Sequence, residues 1–213
     1  QYWDWSRRPD LSYYSKGPGI AWLIALSTRV FSDSEWAIRL PAALSMGLAA
    51  LACAAMVQRA SPRAPMAALH GAGVFLTIPA FHATALFMTI DPPLIACWTL
   101  AACCTYAMLD RASTGRPSIA LWVALGLALG LGFLFKYTAL LLIPGLALAW
   151  WNRRAEARPD ARTPARAALA LAVFILLASP VLLWNQRHGW PTVAHLLGHL
   201  GAPGGDSPRA GTG

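Results

Sequence analysis

Apolar residues in this chain do not alternate with polar ones. They run together in blocks, and charge is confined to the gaps. Charge-free blocks cover Pro41 to Val57, Ala64 to Ile90, Pro92 to Leu109, Pro117 to Phe135, Tyr137 to Asn152 and Ala167 to Gln186. A membrane-spanning helix needs roughly 20 mostly apolar residues, within a range of about 17 to 25. The blocks therefore predict about six transmembrane helices. The second block is longer than one span needs, and Lys136 alone parts the fourth from the fifth. The stretch Gly17 to Thr28 is short and flanked by Lys16 and Arg29, so a helix lying in the interface suits it better than a span. The fold class expected is all-α, a polytopic membrane helical domain with interfacial helices in its first outer loop. Its parts are an outer loop over residues 1–36, a transmembrane helical domain over 37–186, an outer juxtamembrane segment over 187–200 and a disordered Gly/Pro-rich tail over 201–213.

Composition agrees. Of 213 residues, 57% are hydrophobic and 12% charged, and the mean hydropathy is +0.48. A soluble domain carries about 25% charged residues, so the shortfall places the chain in a bilayer. A net charge of +8 would suit nucleic acid, but the charges sit in short clusters between apolar blocks, which argues against that partner. The four cysteines, Cys53, Cys97, Cys103 and Cys104, lie inside apolar blocks without metal-ligand spacing and read as small core residues. The chain opens without an initiator methionine or a signal peptide, and it reads as a piece of a longer protein.

Charge position sets the orientation. The loops QRASPRAP, DRASTGRP and NRRAEARPDARTPARA carry two, two and five arginines, and alternating spans put them on one side. By the positive-inside rule that side is cytoplasmic. The N-terminal segment, Asp91, Lys136 and NQRHGWP then share the outer side. That segment is itself basic through Arg7, Arg8, Lys16, Arg29 and Arg39, and positive charge held outside against the bias invites a functional reading. Trp3, Trp5, Trp22, Trp36, Trp184 and Trp190 fall near the outer interface, and Trp150 and Trp151 near the inner one, as aromatic belts do.

Three outer segments carry candidate chemistry: Tyr13, Tyr14 and Lys16; Asp91 in MTIDPP; and Lys136 with Tyr137 in FKYT. An ionisable group at membrane depth is costly and turns to a cavity or a partner. Asp91 beside two prolines reads as the start of a helix, where a carboxylate is favourable by itself. Equally, it can pair with Lys16 or Lys136 around a buried anionic group. Lys136 can snorkel at a span end, Lys16 can anchor the interface, and the tyrosines can belong to the belt. Tyrosines beside a lysine also suit a lipid phosphate and its sugar, the rings covering apolar sugar faces and the ammonium binding phosphate. His82 carries no assignment, and His195 and His199 share a helix face without a third metal ligand in spacing.

Several segments, in order, resemble glycosyltransferase family 39, the membrane transferases related to dolichyl-phosphate-mannose protein mannosyltransferases and to the aminoarabinose transferase of lipid A. They are QYWDW with Tyr2-Trp3, Tyr13-Tyr14, Arg39-Leu40-Pro41, TIDPPL, and GLALGLGFLFKYT, followed by SPVLLWNQRHGWPTVAHLLGH. The resemblance covers Gln1 to about Leu200 and implies a GT-C type fold. It implies an enzyme that moves a sugar from a polyprenyl-phosphate donor to a lipid A-like, glycan or protein acceptor at the non-cytoplasmic face of a bacterial plasma membrane. Lys16 and Lys136 would steady the departing phosphate, Asp91 would orient Lys16 or contact substrate, and Tyr13, Tyr14 and Tyr137 would line the donor site. The family's acidic pair belongs before Gln1, so these 213 residues alone are expected to be inactive. SKGPG stands where the family more often has two prolines. A divalent metal stays open. A transporter or lipid-linked-sugar flippase would also need ionisable groups in a membrane cavity, but no internal repeat marks two halves. A structural subunit would not need Asp91 and Lys136 at one face.

Overall fold

A computed structural model describes residues 1–113, 118–157 and 161–199. The tail expected over 201–213 lies outside the described residues. Among the described residues there are ten α-helices and no strand: α1 (Tyr2–Arg7), α2 (Gly19–Phe31), α3 (Glu35–Ala60), α4 (Ala67–Thr77), α5 (Pro79–Leu86), α6 (Asp91–Ser113), α7 (Ile119–Phe135), α8 (Leu142–Ala157), α9 (Thr163–Arg187) and α10 (Pro191–His199). A 3-10 turn, Tyr137–Leu141, joins α7 to α8.

Local chemistry sets the breaks. The second apolar block, too long for one straight span, bends by 71° between α4 and α5. The bend falls at Ile78, whose backbone is extended before Pro79. A residue preceding proline avoids the α region, and proline offers no N–H to continue the helix. The His82 Nδ1–H donates to the Leu76 carbonyl across this bend at 3.1 Å, so that histidine has a structural partner. Ser32, at φ 67°, ends α2, and the Ser27 hydroxyl donates to the Ala37 carbonyl, which ties α2 to the start of α3. Lys136 is extended and ends α7, and its N–H donates to the Gly132 carbonyl at 2.9 Å.

Packing fixes the order of the helices. A Cβ at Gly126 of α7 would lie 2.4 Å from the Ala170 carbonyl oxygen of α9, and one at Gly130 would lie 2.8 Å from Leu177. Glycines four apart therefore let these two backbones nearly touch. Both residue numbers rise along the contact, so α7 and α9 are parallel. Trp122 near the start of α7 meets Trp150 in the second half of α8 at 5.7 Å between ring centroids, so α8 runs back against α7. Arg59 at the end of α3 lies 4.0 Å from Asp110 near the end of α6, while Met46, Ala49, Ala50 and Ala96 share one buried cluster. These contacts make α3 and α6 parallel too. The buried seams are rich in alanine, including Ala42, Ala49, Ala101 and Ala107, as expected where helices associate by close packing instead of by escape from water.

Helices α3, α6 and α9 are long and apolar enough to cross a membrane, and the bent pair α4 and α5 makes a fourth if it is one span. Large apolar side chains cover their outer faces, among them Leu44, Leu48 and Leu51 of α3 and Leu171, Ile175, Leu176, Leu182 and Leu183 of α9. Contiguous exposed apolar surface on this scale needs a non-aqueous neighbour. The four cysteines are free thiols; Cys97 is buried and the other three are half-buried.

Candidate functional site

The topology gathers the N-terminal segment, the start of α6, the end of α7, the end of α9 and α10 at one end of the bundle. Two charged side chains meet there. Asp91 is the first residue of α6, and Pro92 and Pro93 follow it. Prolines in a first turn remove N–H groups that would have no helical partner, and the helix dipole favours a carboxylate at that position. Lys136 occupies the extended link after α7. Its ammonium lies 2.9 Å from Asp91 Oδ1. Asp91 therefore starts a helix and forms an ion pair with Lys136. The side chains are 47% and 33% exposed. An ion pair this open contributes only about 0 to 1 kcal/mol to folding, and a ligand can reach it.

The aromatic segment lies over this pair. Tyr2 of α1 packs on the buried cluster of Ile20, Ile24, Ile90, Cys97 and Phe135. Burial pushes its phenol above the ordinary value, the Asp91 carboxylate pushes it further, and the Lys136 ammonium opposes them. The phenol is thus within electrostatic reach of both charges. Sequence reasoning quoted Tyr2 as part of a motif but did not place it at the site.

The loop from Ser12 to Gly19 is the second wall. A Cβ at Gly17 would stand 2.1 Å from the Leu134 carbonyl oxygen, and one at Gly19 would stand 2.9 Å from the Phe135 ring. The two glycines bring the loop's backbone directly onto the end of α7, and Pro18 between them is fully buried. Ser12 is 0% exposed. Its hydroxyl lies 3.4 Å from the Tyr137 hydroxyl and donates to the Lys16 carbonyl at 3.5 Å, while the Tyr13 N–H donates to the same carbonyl at 3.1 Å. Lys16 and Lys136–Tyr137 are thereby held on one connected surface.

Asp10 ties the loop to the bundle. Its carboxylate accepts the Trp184 indole N–H of α9 at 3.0 Å, and its main-chain carbonyl accepts the Trp22 indole N–H of α2 at 2.9 Å. Nothing in the sequence singled it out beyond its being an acid in a basic loop.

The six sequence-predicted residues divide. Asp91, Lys136 and Tyr137 form a contiguous group. Lys16 reaches that group through Ser12, and among the described residues it makes no ion pair; Asp91 pairs with Lys136 and not with Lys16. Tyr13 is turned into α1. Its ring stacks on Trp5 at 4.3 Å, and its hydroxyl donates toward the Trp5 and Arg8 carbonyls at 3.1 and 3.3 Å. Burial holds its phenol above the ordinary value; the Asp10 N–H lowers it and the Asp10 charge raises it. Tyr14 faces the other way, 47% exposed, with its ring 5.0 Å from that of His195 on α10. Among the described residues no group of three or more His, Cys, Asp or Glu side chains is placed to hold a metal ion.

Comparison with known proteins places the chain among membrane sugar transferases by sequence. The family profile described as dolichyl-phosphate-mannose-protein mannosyltransferase matches residues 15–184. The chain is 33% identical over 199 residues to a lipid A galacturonosyltransferase of Rhizobium johnstonii, covering 92% of this chain and 39% of that protein. It is 30% identical over 141 residues to an undecaprenyl phosphate-alpha-4-amino-4-deoxy-L-arabinose arabinosyl transferase of Serratia proteamaculans, covering 65% of this chain and 24% of that one. A transferase of the same name from Pseudomonas fluorescens is 31% identical over 147 residues. The chain thus spans at most 39% of the length of these relatives. No solved structure matches it.

Proposed function

The chain belongs to the dolichyl-phosphate-mannose-protein mannosyltransferase family, and we propose that it forms part of the membrane region of a glycosyltransferase of GT-C type. That enzyme moves a sugar from a polyprenyl-phosphate donor to a lipid, glycan or protein acceptor at the outer face of a bacterial plasma membrane. The names of two relatives support this reading, since one specifies an undecaprenyl-phosphate-linked sugar and the other lipid A. Among the acceptors, a lipid A-like glycolipid is the one we favour.

Six spans are part of the proposal. Helix α7 has 17 residues, at the lower limit of about 17 for a span. Because α7 and α9 run parallel, the chain must return between them, and the 3-10 turn with α8 is the segment available. Helices α1 and α2, at the end that carries Asp91 and Lys136, fit an interfacial position.

The observation that carries the functional reading is the solvent-open Lys136–Asp91 pair beneath the loop that bears Lys16. In the transfer, the bond between the sugar's anomeric carbon and the phosphate oxygen breaks, and negative charge grows on the departing phosphate. A cation aimed at that oxygen stabilises the transition state more than the ground state. Lys136 fills this role, and Asp91 holds its ammonium in place until the phosphate arrives. Lys16 supplies the second cation. Tyr14 and Tyr137 line the donor, and Tyr13 anchors the loop that presents them. The base toward the acceptor hydroxyl is assigned to the family's acidic pair.

The test uses the full-length protein in proteoliposomes with a panel of polyprenyl-phosphate sugars, following release of free polyprenyl phosphate. Wild type should release it, and Lys136→Ala, Lys16→Ala and Asp91→Asn should each fall by about tenfold or more, as expected for a lost charge-stabilising group. Undiminished release by Lys136→Ala would refute the assignment. Transport of a lipid or solute with no release from any donor would refute the enzyme.

A further inference from the structure

Tyr137 follows Lys136 directly, and its hydroxyl points into a buried corner. Ser12 of the N-terminal loop, fully buried, lies 3.4 Å from it. Thr192, in the first turn of α10, reaches the same phenol. Thr192 is 8% exposed, and its hydroxyl lies short of a hydrogen bond with Tyr137 or with any other group. A buried hydroxyl left unpaired is unfavourable, so its place there needs a reason.

The turn that puts Thr192 there is itself unfavourable. Gly189 and Trp190 have φ of 75° and 62°. Glycine adopts that region freely, but a bulky side chain does so rarely. Trp190 is exposed, so burial of its indole does not hold the turn. Asn185, near the end of α9 and buried, does. Its main-chain carbonyl accepts the Trp190 N–H at 2.8 Å, and its side-chain oxygen accepts the Thr192 N–H at 3.2 Å. Its amide donates in turn to the Val181 carbonyl at 3.0 Å. Strained backbone persists where its surroundings over-determine it, and such places cluster at functional sites. What this turn delivers is the Thr192 hydroxyl.

Hydrogen counting gives the three hydroxyls one direction. Ser12 donates to the Lys16 carbonyl, so its oxygen accepts from Tyr137. The Tyr137 oxygen is left as an acceptor, and Thr192 has a hydrogen to give. The chain from Thr192 through Tyr137 and Ser12 to the Lys16 carbonyl thus joins the neighbour of one cation to the backbone of the other. We propose, on the phosphate-side roles given above to Lys136 and Lys16, that Thr192 is a positioning residue. Its hydroxyl closes onto Tyr137 when donor binds, and the completed chain fixes the link that carries Lys136 against the loop that carries Lys16. Each bond in such a chain polarises the next, so the last one tightens those already made. The Tyr137 ring keeps its place along the donor, and Asn185 acts one step further back by holding the turn.

Thr192→Val removes the hydroxyl and nearly keeps the shape. The test reads thermal unfolding, donor KM and kcat for polyprenyl phosphate release in the full-length protein. Loss of an unpaired buried hydroxyl should leave unfolding unchanged or later. The positioning role adds a fall in kcat of about tenfold with donor KM held within about twofold, because Lys136 meets charge that develops in the transition state. Thr192→Ser keeps a hydroxyl and should recover most of the rate. In Tyr137→Phe, which lacks the acceptor, Thr192→Val should lower kcat no further. Wild-type kcat in Thr192→Val beside an inactive Lys136→Ala would overturn the proposal and leave the transferase standing. A loss in Thr192→Ser as large as in Thr192→Val, or additive losses in the double variant, would do the same. Absence of release by wild type from any donor would overturn the transferase reading, and the positioning role with it.

Discussion

Replacing Gly17 by alanine tests whether the N-terminal loop is a built wall of the site. The added Cβ would lie 2.1 Å from the Leu134 carbonyl oxygen and 2.7 Å from its carbon. Ordinary contact begins near 3.4 Å, so the loop and the end of α7 must separate by about 1 Å for the van der Waals contact to become tolerable. Both partners are backbone, and Leu134 is anchored within α7, so neither can yield as a flexible side chain would. Overpacking of this kind costs about 1 to 3 kcal/mol. The displacement falls on the loop whose Ser12 meets Tyr137, and a shift of about 1 Å in a positioning group can cost about a hundredfold in rate. The assay is thermal unfolding of the full-length protein in detergent, read beside polyprenyl-phosphate release in proteoliposomes. Gly73→Ala serves as the control, since a Cβ there meets nothing within 4 Å and alanine within a helix is favoured over glycine by about 1 kcal/mol. Gly17→Ala should unfold earlier and turn over far more slowly, whereas Gly73→Ala should be neutral or more stable. Wild-type stability and turnover in Gly17→Ala would show that the loop does not rest on α7, and the proposed site would lose one wall.

Three further outcomes are expected. Exchanging the charges as Asp91→Lys/Lys136→Asp keeps an ion pair but moves the cation onto α6; the double variant should fold like wild type yet stay as inactive as Lys136→Ala, and recovery of release would mean that the pair is only structural. Asp10→Ala removes the acceptor of the Trp184 indole N–H and should cost about 1 kcal/mol, small because the carboxylate is exposed. Its Trp184 emission should change while that of Asp10→Asn stays closer to wild type, and identical spectra would refute the tie. Tyr2 and Tyr13 both hold their protons above the ordinary tyrosine value of 10.0. Above that value the unfolded chain has released protons that the folded chain keeps, so stability is unaffected below about pH 10 and falls as pH rises beyond it. Tyrosinate absorbance should show late-titrating phenols, and Tyr2→Phe should remove one of them.

The features legible in the sequence were those that break a pattern. Asp91 and Lys136 each interrupt an apolar stretch, and counting crossings puts both at one end; the structure brings them to 2.9 Å. What stayed hidden depends on partners far along the chain. Gly17-Pro18-Gly19 reads locally as a break before a helix, and it does precede α2. Its tighter requirement, that no Cβ fit against Leu134, becomes visible only once α7 is in place. Tyr13 and Tyr14 are indistinguishable by composition, yet the loop turns them apart, so one stacks on Trp5 and the other meets His195. Asp10 carried no signal, because an acid that accepts an indole from α9 looks the same in sequence as one facing water. The same logic bears on the substrate. A lysine that keeps an aspartate partner while one side stays open can exchange that partner for another anion at little cost in folding energy. A fully buried pair would resist that exchange. The partial exposure of Lys136 and Asp91 is therefore a better guide to phosphate chemistry than either charge read alone.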